Sequence, residues 1–209
     1  MSAIKNIIFD LGGVILNLDQ QKTLQGFKNL GVNFEDYYYS LDFFEAFETG
    51  KINEDAFRDS IRKFAGKEFS DAQIDTAWNA MLLDLPAERI EILKDIRTEF
   101  DIYLLSNTNS IHIRSFLGDF NRFHSGEEWD SLFNKIYYSH QVGLRKPDAA
   151  IYEYVLADIS AKGNECIFID DNQQNLAGAN SSGIHTIWAN EPLSYFTLDK
   201  IYALAGKIY

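Results

Sequence analysis

A single cysteine, Cys166, stands in 209 residues, so the chain cannot close an internal disulfide. Proline is scarce as well, at three, and no apolar run approaches the roughly 20 residues that a membrane-spanning helix needs. The first residues, MSAIKNIIFD, lack the basic flank and long apolar core of a secretory signal. Positive charge is in the minority: 19 Lys and Arg face 31 Asp and Glu, for a net charge of −12. That field repels polyanions, which argues against nucleic acid and against an anionic membrane face as partners. These absences predict a soluble protein of the reducing cytoplasm in which any anionic ligand is held by a local device. The length, with 46% hydrophobic residues, suits one ordinary domain with a small appended one and excludes disorder.

What the sequence does have is a series of short apolar runs that end in polar residues. Ile7-Ile8-Phe9 precedes Asp10, Ile102 to Leu105 precedes Ser106, Ile136-Tyr137-Tyr138 precedes Ser139, and Ile167-Phe168-Ile169 precedes Asp170. They read as buried parallel strands, with His185 to Ala189 as a fifth. Helical periods lie between the later runs. Pro86 suits a first helical turn before Ile90, Leu93 and Ile96, and Ala150, Tyr154 and Leu156-Ala157 recur after Pro147. Strands alternating with helices predict an α/β fold with a doubly wound, Rossmann-like parallel sheet. Ligands of such sheets sit at the carboxyl ends of the strands, where Asp10, Ser106 and Asp170-Asp171 fall.

Residues 18–86 break this rhythm. Phe57, Ile61 and Phe64 follow a candidate Asn53 cap at helical spacing, and Ser70 with Gln73 forms a capping-box pattern before Ile74, Trp78, Met81 and Leu82. The predicted organisation is a core of residues 1–17 and 87–209, with 18–86 as a small helical cap whose position after the first strand makes it a lid.

Asp10 ends a strand and precedes Gly12-Gly13, which let the backbone turn sharply beside a ligand. Such a carboxylate suits a nucleophile, a metal ligand, or simply the cap of a strand-to-loop turn. Asp170-Asp171 are adjacent carboxylates that need a cation or a lysine nearby, and Asp10 with Asp171 would suit Mg²⁺. Ser106-Asn107-Thr108-Asn109 reads as a helix opening whose hydroxyl and backbone N–H groups could grip phosphate oxygens or serve only as a cap. Lys146, in GLRKPD, could neutralise carboxylates and phosphate, whereas Arg145 reads as an ordinary surface residue.

Together IIFDLGGVI, YLLSNTN, GLRKPD and FIDDNQQN, in this order across about residues 7–189, resemble the four motifs of the haloacid dehalogenase-like superfamily. The segment after the first motif is similar to that family's C1-type cap. Within the family the chain is most similar to bacterial glucose-1-phosphatase-like proteins and to the phosphatase domain attached to soluble epoxide hydrolase. The resemblance implies a Mg²⁺-dependent phosphatase acting on a small phosphorylated metabolite such as a sugar phosphate, as a monomer or homodimer. It assigns Asp10 as the nucleophile that forms an aspartyl-phosphate. Mg²⁺ falls to Asp10, the Gly12 carbonyl and Asp171, and the phosphate oxygens fall to Ser106 and the Asn107 backbone. Lys146 offsets charge, and Asp170 orients Lys146 or a metal-bound water.

Two positions depart from the pattern. Gly12 stands where most phosphatases of the family carry an aspartate that protonates the leaving group, a role worth about 10² to 10⁴ in rate. Asn175 stands where many carry another acid. Two competing readings remain: a 2-haloacid dehalogenase-like hydrolase, which adjacent Asp170-Asp171 disfavour, and a low-turnover protein that binds a phosphorylated ligand, which Gly12 favours.

The remaining candidates have ordinary readings beside functional ones. His112 is a candidate substitute acid or a core-edge histidine. Tyr37-Tyr38-Tyr39 and Phe43-Phe44 would line a sugar pocket or form the cap's own core. Glu48-Thr49-Gly50 would face the site or simply turn the chain. Cys166 reads as a buried hydrophobe, and Tyr195 to Tyr209 as a closing helix.

Overall fold

The computed structural model describes residues 3–34, 41–124 and 126–206. Five strands form one sheet: β1 (Asn6–Phe9), β2 (Asp101–Ser106), β3 (Lys135–Tyr138), β4 (Cys166–Asp170) and β5 (His185–Trp188). All pair in parallel in the order β3-β2-β1-β4-β5. The chain winds outward from β1 in both directions, so the crevice of the sheet opens at the carboxyl end of β1, between β2 and β4.

Because strand side chains alternate, β1 feeds two cores. Ile7 and Phe9 join Ile102, Leu104, Ile167 and Ile169 beneath helices α5 (Ala87–Arg97), α6 (Ser110–Phe123) and α10 (Tyr195–Leu204). Ile8 joins Tyr103, Leu105 and Phe168 on the opposite face, under α8 (Ala149–Asp158) and α9 (Gln173–Ser181). Cys166 is buried there as a free thiol.

Among the described residues between β1 and α5 are four helices: α1 (Gln20–Asn29), α2 (Asp42–Glu48), α3 (Glu54–Ala65) and α4 (Asp71–Asn79). They share a largely aromatic core of their own, built on Phe27, Phe34, Phe44, Phe47, Phe57 and Trp78. Asn53 caps α3 by accepting from the Ala56 N–H at 2.9 Å, and the Ser70–Gln73 capping box starts α4. Phe57 and Ile61 are buried, while Phe64 lies at the margin, stacked on Phe34 with ring centroids 4.9 Å apart. The module joins the sheet through two crossing segments, which meet at the Leu18–Leu82 bridge and where Leu83 N–H donates to Asn17 O at 3.0 Å. A fork between Arg114 of α6 and Glu54 of α3, with bonds of 2.7 and 2.9 Å, ties the two parts together again.

Three local expectations are corrected. Pro86 occupies the N-cap of α5 rather than its first turn. The buried face of α8 is Ile151, Tyr152 and Val155, and Tyr154 is 44% exposed. The helix after β2 starts at Ser110 behind an Asn109 cap, so Ser106 ends the strand and Asn107 and Thr108 form a loop. Tyr37-Tyr38-Tyr39 lie outside the described residues, as do residues 207–209 of the closing helix. Among the described residues no helix is long and apolar enough to cross a membrane.

Candidate active site

Asp10 follows β1 and Asp170 ends the neighbouring β4, and the Asp10 N–H donates to Ile169 O at 2.9 Å. Parallel register therefore sets the two carboxylates side by side. Lys146 lies between them, its Nζ 2.8 Å from Asp10 Oδ1 and 2.7 Å from Asp170 Oδ2. Its loop leaves helix α7 (Ser139–Val142) at the left-handed Gly143. The Asn107 side chain clamps the Lys146 peptide, accepting from its N–H at 2.9 Å and donating to its carbonyl at 2.8 Å. Thr108 N–H donates to Ser139 Oγ at 2.9 Å, which fastens the loop after β2 to the start of α7.

One carboxylate oxygen from each of Asp10, Asp170 and Asp171 lies within 4.8 Å of the others. Asp170 is 0% exposed and committed: besides Lys146, it accepts from the Asn172 N–H at 2.7 Å and from Asn175 Nδ2 at 3.0 and 3.1 Å. The amide at 175 thus does what an acid there could not, since it donates to a buried carboxylate. Asp171 remains exposed, with its main-chain carbonyl held by Trp188 Nε1 at 3.1 Å. A Cβ on Gly13 would overlap the Asp171 carboxylate, and Gly13 adopts φ +74°, so only glycine gives that side chain room. Asp10 and Asp171 offer carboxylate oxygens, hard donors of the kind that fit Mg²⁺, and Gly12 lines the same cavity.

Electrostatics explains why a cation is wanted. Burial is the largest influence on Asp10; with the neighbouring Asp170 and Asp171 it outweighs Lys146 and pushes the carboxyl up to about 7. Asp171 is raised too, by partial desolvation against the cavity wall and then by Asp170. Burial alone would lower Lys146, yet Asp10 and Asp170 hold it above the ordinary lysine value. Three carboxylates and one ammonium leave a surplus of negative charge that a divalent ion offsets.

The cavity above these groups holds about 350 Å³ and is lined by Asp10, Gly12, Ser106, Asn107, Lys146 and Asp171 from the strand ends. Helix α2 contributes Asp42, Glu45 and Glu48, and Phe44, Trp78 and Met81 form an apolar wall. The residues singled out in the sequence are therefore brought together. His112 also lines the cavity. It is buried, stacked on Trp78 at 4.8 Å, and its Nδ1–H donates to Asn79 Oδ1 at 2.8 Å. Burial lowers its pKa to about 3, so it carries no ionised proton near neutrality. Phe44 packs in the helical core, stacked on Trp78 at 5.3 Å, while presenting an edge to the cavity.

Sequence reasoning missed Arg145. It is no plain surface residue: its half-buried side chain lines the cavity, with Nη1 3.3 Å from Glu45 Oε2 and Nη2 3.4 Å from Glu48 Oε2. The signal available was its place beside Lys146, but its partners lie about a hundred positions away on another helix.

Comparison with known proteins agrees with this arrangement. The family model of haloacid dehalogenase-like hydrolases matches residues 4–183. D-ribitol-5-phosphate phosphatase of Bacteroides thetaiotaomicron is 29% identical over 187 residues, covering 88% of this chain and 90% of that protein. The crystal structure of a haloacid dehalogenase family enzyme from the same organism, in complex with magnesium and inorganic phosphate, superposes with a TM-score of 0.85 and 36% identity. It covers 92% of this chain and 98% of that one. A haloacid dehalogenase-like family hydrolase of Porphyromonas gingivalis gives a TM-score of 0.85 at 31% identity, covering 97% and 98%.

Proposed function

The chain belongs to the haloacid dehalogenase-like hydrolase family, and from that membership we propose that it is a Mg²⁺-dependent phosphatase of a small phosphomonoester, a sugar or sugar-alcohol phosphate. The observation that carries this reading is the meeting of Asp10 with Asp171, 161 positions apart, around one cation-sized space beside a buried lysine. The residues of 18–86 serve as the C1-type cap on a core of 1–17 and 87–209, a division supported by the separate aromatic core of α1–α4.

In this reading an Asp10 oxygen bonds to phosphorus as the bond to the leaving oxygen breaks, and water then releases phosphate from the aspartyl-phosphate. The Ser106 hydroxyl and the Asn107 N–H hold two phosphoryl oxygens. Lys146 fixes the Asp10 carboxylate in line and balances the charge that gathers on it. Asp170 holds Lys146 in turn, itself saturated by Asn172 and Asn175. Asp10, Asp171 and the Gly12 carbonyl would hold Mg²⁺, which when bound offsets the negative charge of nucleophile and phosphoryl group. Positioning and local electrostatics do most of such a transfer, which is how a chain of net charge −12 handles an anion. The buried thiol of Cys166 suits a reducing compartment such as the cytoplasm.

The carboxylates of Asp170 and Asp171 beside the nucleophile weigh against a metal-free dehalogenase, whose acid substrate would meet this surplus negative charge with no metal to offset it. The relative active on D-ribitol 5-phosphate and the polar-and-aromatic cavity both support a hydroxylated substrate tail. The test is release of phosphate from p-nitrophenyl phosphate and from a panel of sugar and sugar-alcohol phosphates, with Mg²⁺ and with chelator. Activity is expected only with Mg²⁺ and only with Asp10 intact; turnover that survives in Asp10→Asn overturns the reading.

A further inference from the structure

Cleavage of an alkyl phosphate needs a proton for the leaving oxygen, and the assignments above supply none. Position 12 has no side chain, and a Cβ there would overlap Cδ1 of Leu18, so a leucine methyl fills the adjacent space. His112 is neutral, and its Nδ1–H is tied to Asn79. Lys146 is a reluctant donor, since losing its proton would strand two buried carboxylates. Asp171 is reserved for the metal. Among the described residues the other acids lining the cavity are Asp42, Glu45 and Glu48 of α2. Glu48 is the enclosed one of the two glutamates, with its side chain 26% exposed against 58% for Glu45.

We propose that Glu48 donates the proton to the leaving-group oxygen and later accepts one from the hydrolytic water, a role that rests on the phosphatase reading above. The last turn of α2 is held firmly for such a task. Thr49 is buried with its hydroxyl donating to Glu45 O at 2.8 Å. Gly50, at φ +67°, sits so close to the main chain of α7 that a Cβ would overlap His140 O. Arg145 holds Glu48 from the core side, and it directly precedes Lys146, so one loop positions both the nucleophile's counter-ion and the proton donor. The charged groups facing Glu48 are Arg145 and Lys146, which favour its carboxylate, and Glu45, which opposes it; α7 presents His140, held below its ordinary value by burial. Burial outweighs the two cations and raises Glu48 above the usual glutamate range, the direction a general acid needs.

The protons balance. As the Asp10 oxygen bonds to phosphorus and the ester P–O bond breaks, the Glu48 carboxyl proton passes to the departing oxygen. Glu48, now a carboxylate, then takes a proton from the water whose oxygen bonds to phosphorus as the Asp10–phosphorus bond breaks. Both carboxyl groups are restored.

The experiment compares Glu48→Gln with wild type, loaded with Mg²⁺, on two esters. One is p-nitrophenyl phosphate, whose leaving group departs without a proton; the other is an alkyl ester that wild type hydrolyses, chosen from the sugar and sugar-alcohol phosphate panel. Glu48→Gln is expected to lower kcat/KM, which reports formation of the aspartyl-phosphate, by about 10² to 10⁴ on the alkyl ester but far less on the aryl ester, while kcat, which includes hydrolysis of the shared intermediate, falls on both. Glu48→Asp, which keeps an acid at shorter reach, is expected to lose less kcat/KM on the alkyl ester than Glu48→Gln. Equal losses of kcat/KM on both esters, or no loss on either, would overturn the proposal. If wild type releases phosphate from no ester, or Asp10→Asn keeps wild-type activity on both, the reading beneath the proposal fails instead.

Discussion

Lys146 is 1% exposed, a full positive charge in the interior, and it is tolerable there only because Asp10 and Asp170 grip it at 2.8 and 2.7 Å. Removing one member of a buried ion group leaves the others uncompensated, at a cost of about 3–5 kcal/mol. Lys146→Met is therefore expected to lose about that much stability in urea unfolding, along with its phosphatase activity; wild-type stability in the variant would contradict the ion-group account. His112 gives a second test at this scale. Its folded pKa is about 3, while an unfolded histidine titrates near 6.5. The unfolded state then binds the proton first as pH falls, so this contribution is complete above pH 6.5 and is lost progressively below it. Between pH 6.5 and 4.5 wild type should lose roughly 2–3 kcal/mol more than His112→Asn. Parallel pH profiles of the two proteins in denaturant melts would show the histidine to be an ordinary charged one.

At the scale of elements, the strands were readable because each is a short apolar run buried on both faces and ended by a polar residue. The apolar period after Pro147 marks the helix but not its buried face, because both faces are apolar: Ala150 and Tyr154 repeat as regularly as Ile151, Tyr152 and Val155, and only the sheet decides which turns inward. At the end of β2 Ser106, Asn107 and Asn109 are all good caps, so local sequence does not single out the helix start; the one that caps is Asn109, whose Oδ1 also accepts from Trp78 Nε1 at 3.3 Å. The turn after β1 carries a prediction of its own. Gly13→Ala forces a left-handed backbone on an L-residue and drives a methyl into the Asp171 carboxylate. Mg²⁺ affinity, measured by titration calorimetry, should fall about 10–100-fold, the loss usual when support for a metal ligand is disturbed. An unchanged affinity would remove Asp171 from the metal site.

Across the whole molecule, what was legible in the sequence is what topology alone delivers. A parallel sheet wound outward from its first strand gathers the carboxyl ends of β1, β2 and β4, so Asp10, Ser106, Asp170 and Asp171 had to meet once the strands were identified. What was not legible depends on how α2 lies over that edge. Arg145 paired with Glu45 and Glu48, and His112 silenced by burial against Trp78, follow from packing between distant segments that no local pattern encodes. The overall charge of −12 gives an anionic substrate no general attraction, so the chemistry must be concentrated in a few groups, with Asp10 at their centre. The most direct measurement is rapid acid quench of the Mg²⁺-loaded protein during turnover, followed by mass spectrometry of its peptides. The account predicts a phosphate adduct on the peptide that carries Asp10, absent in Asp10→Asn and in chelator; steady turnover with that peptide unmodified throughout, or an adduct on another residue, would contradict it.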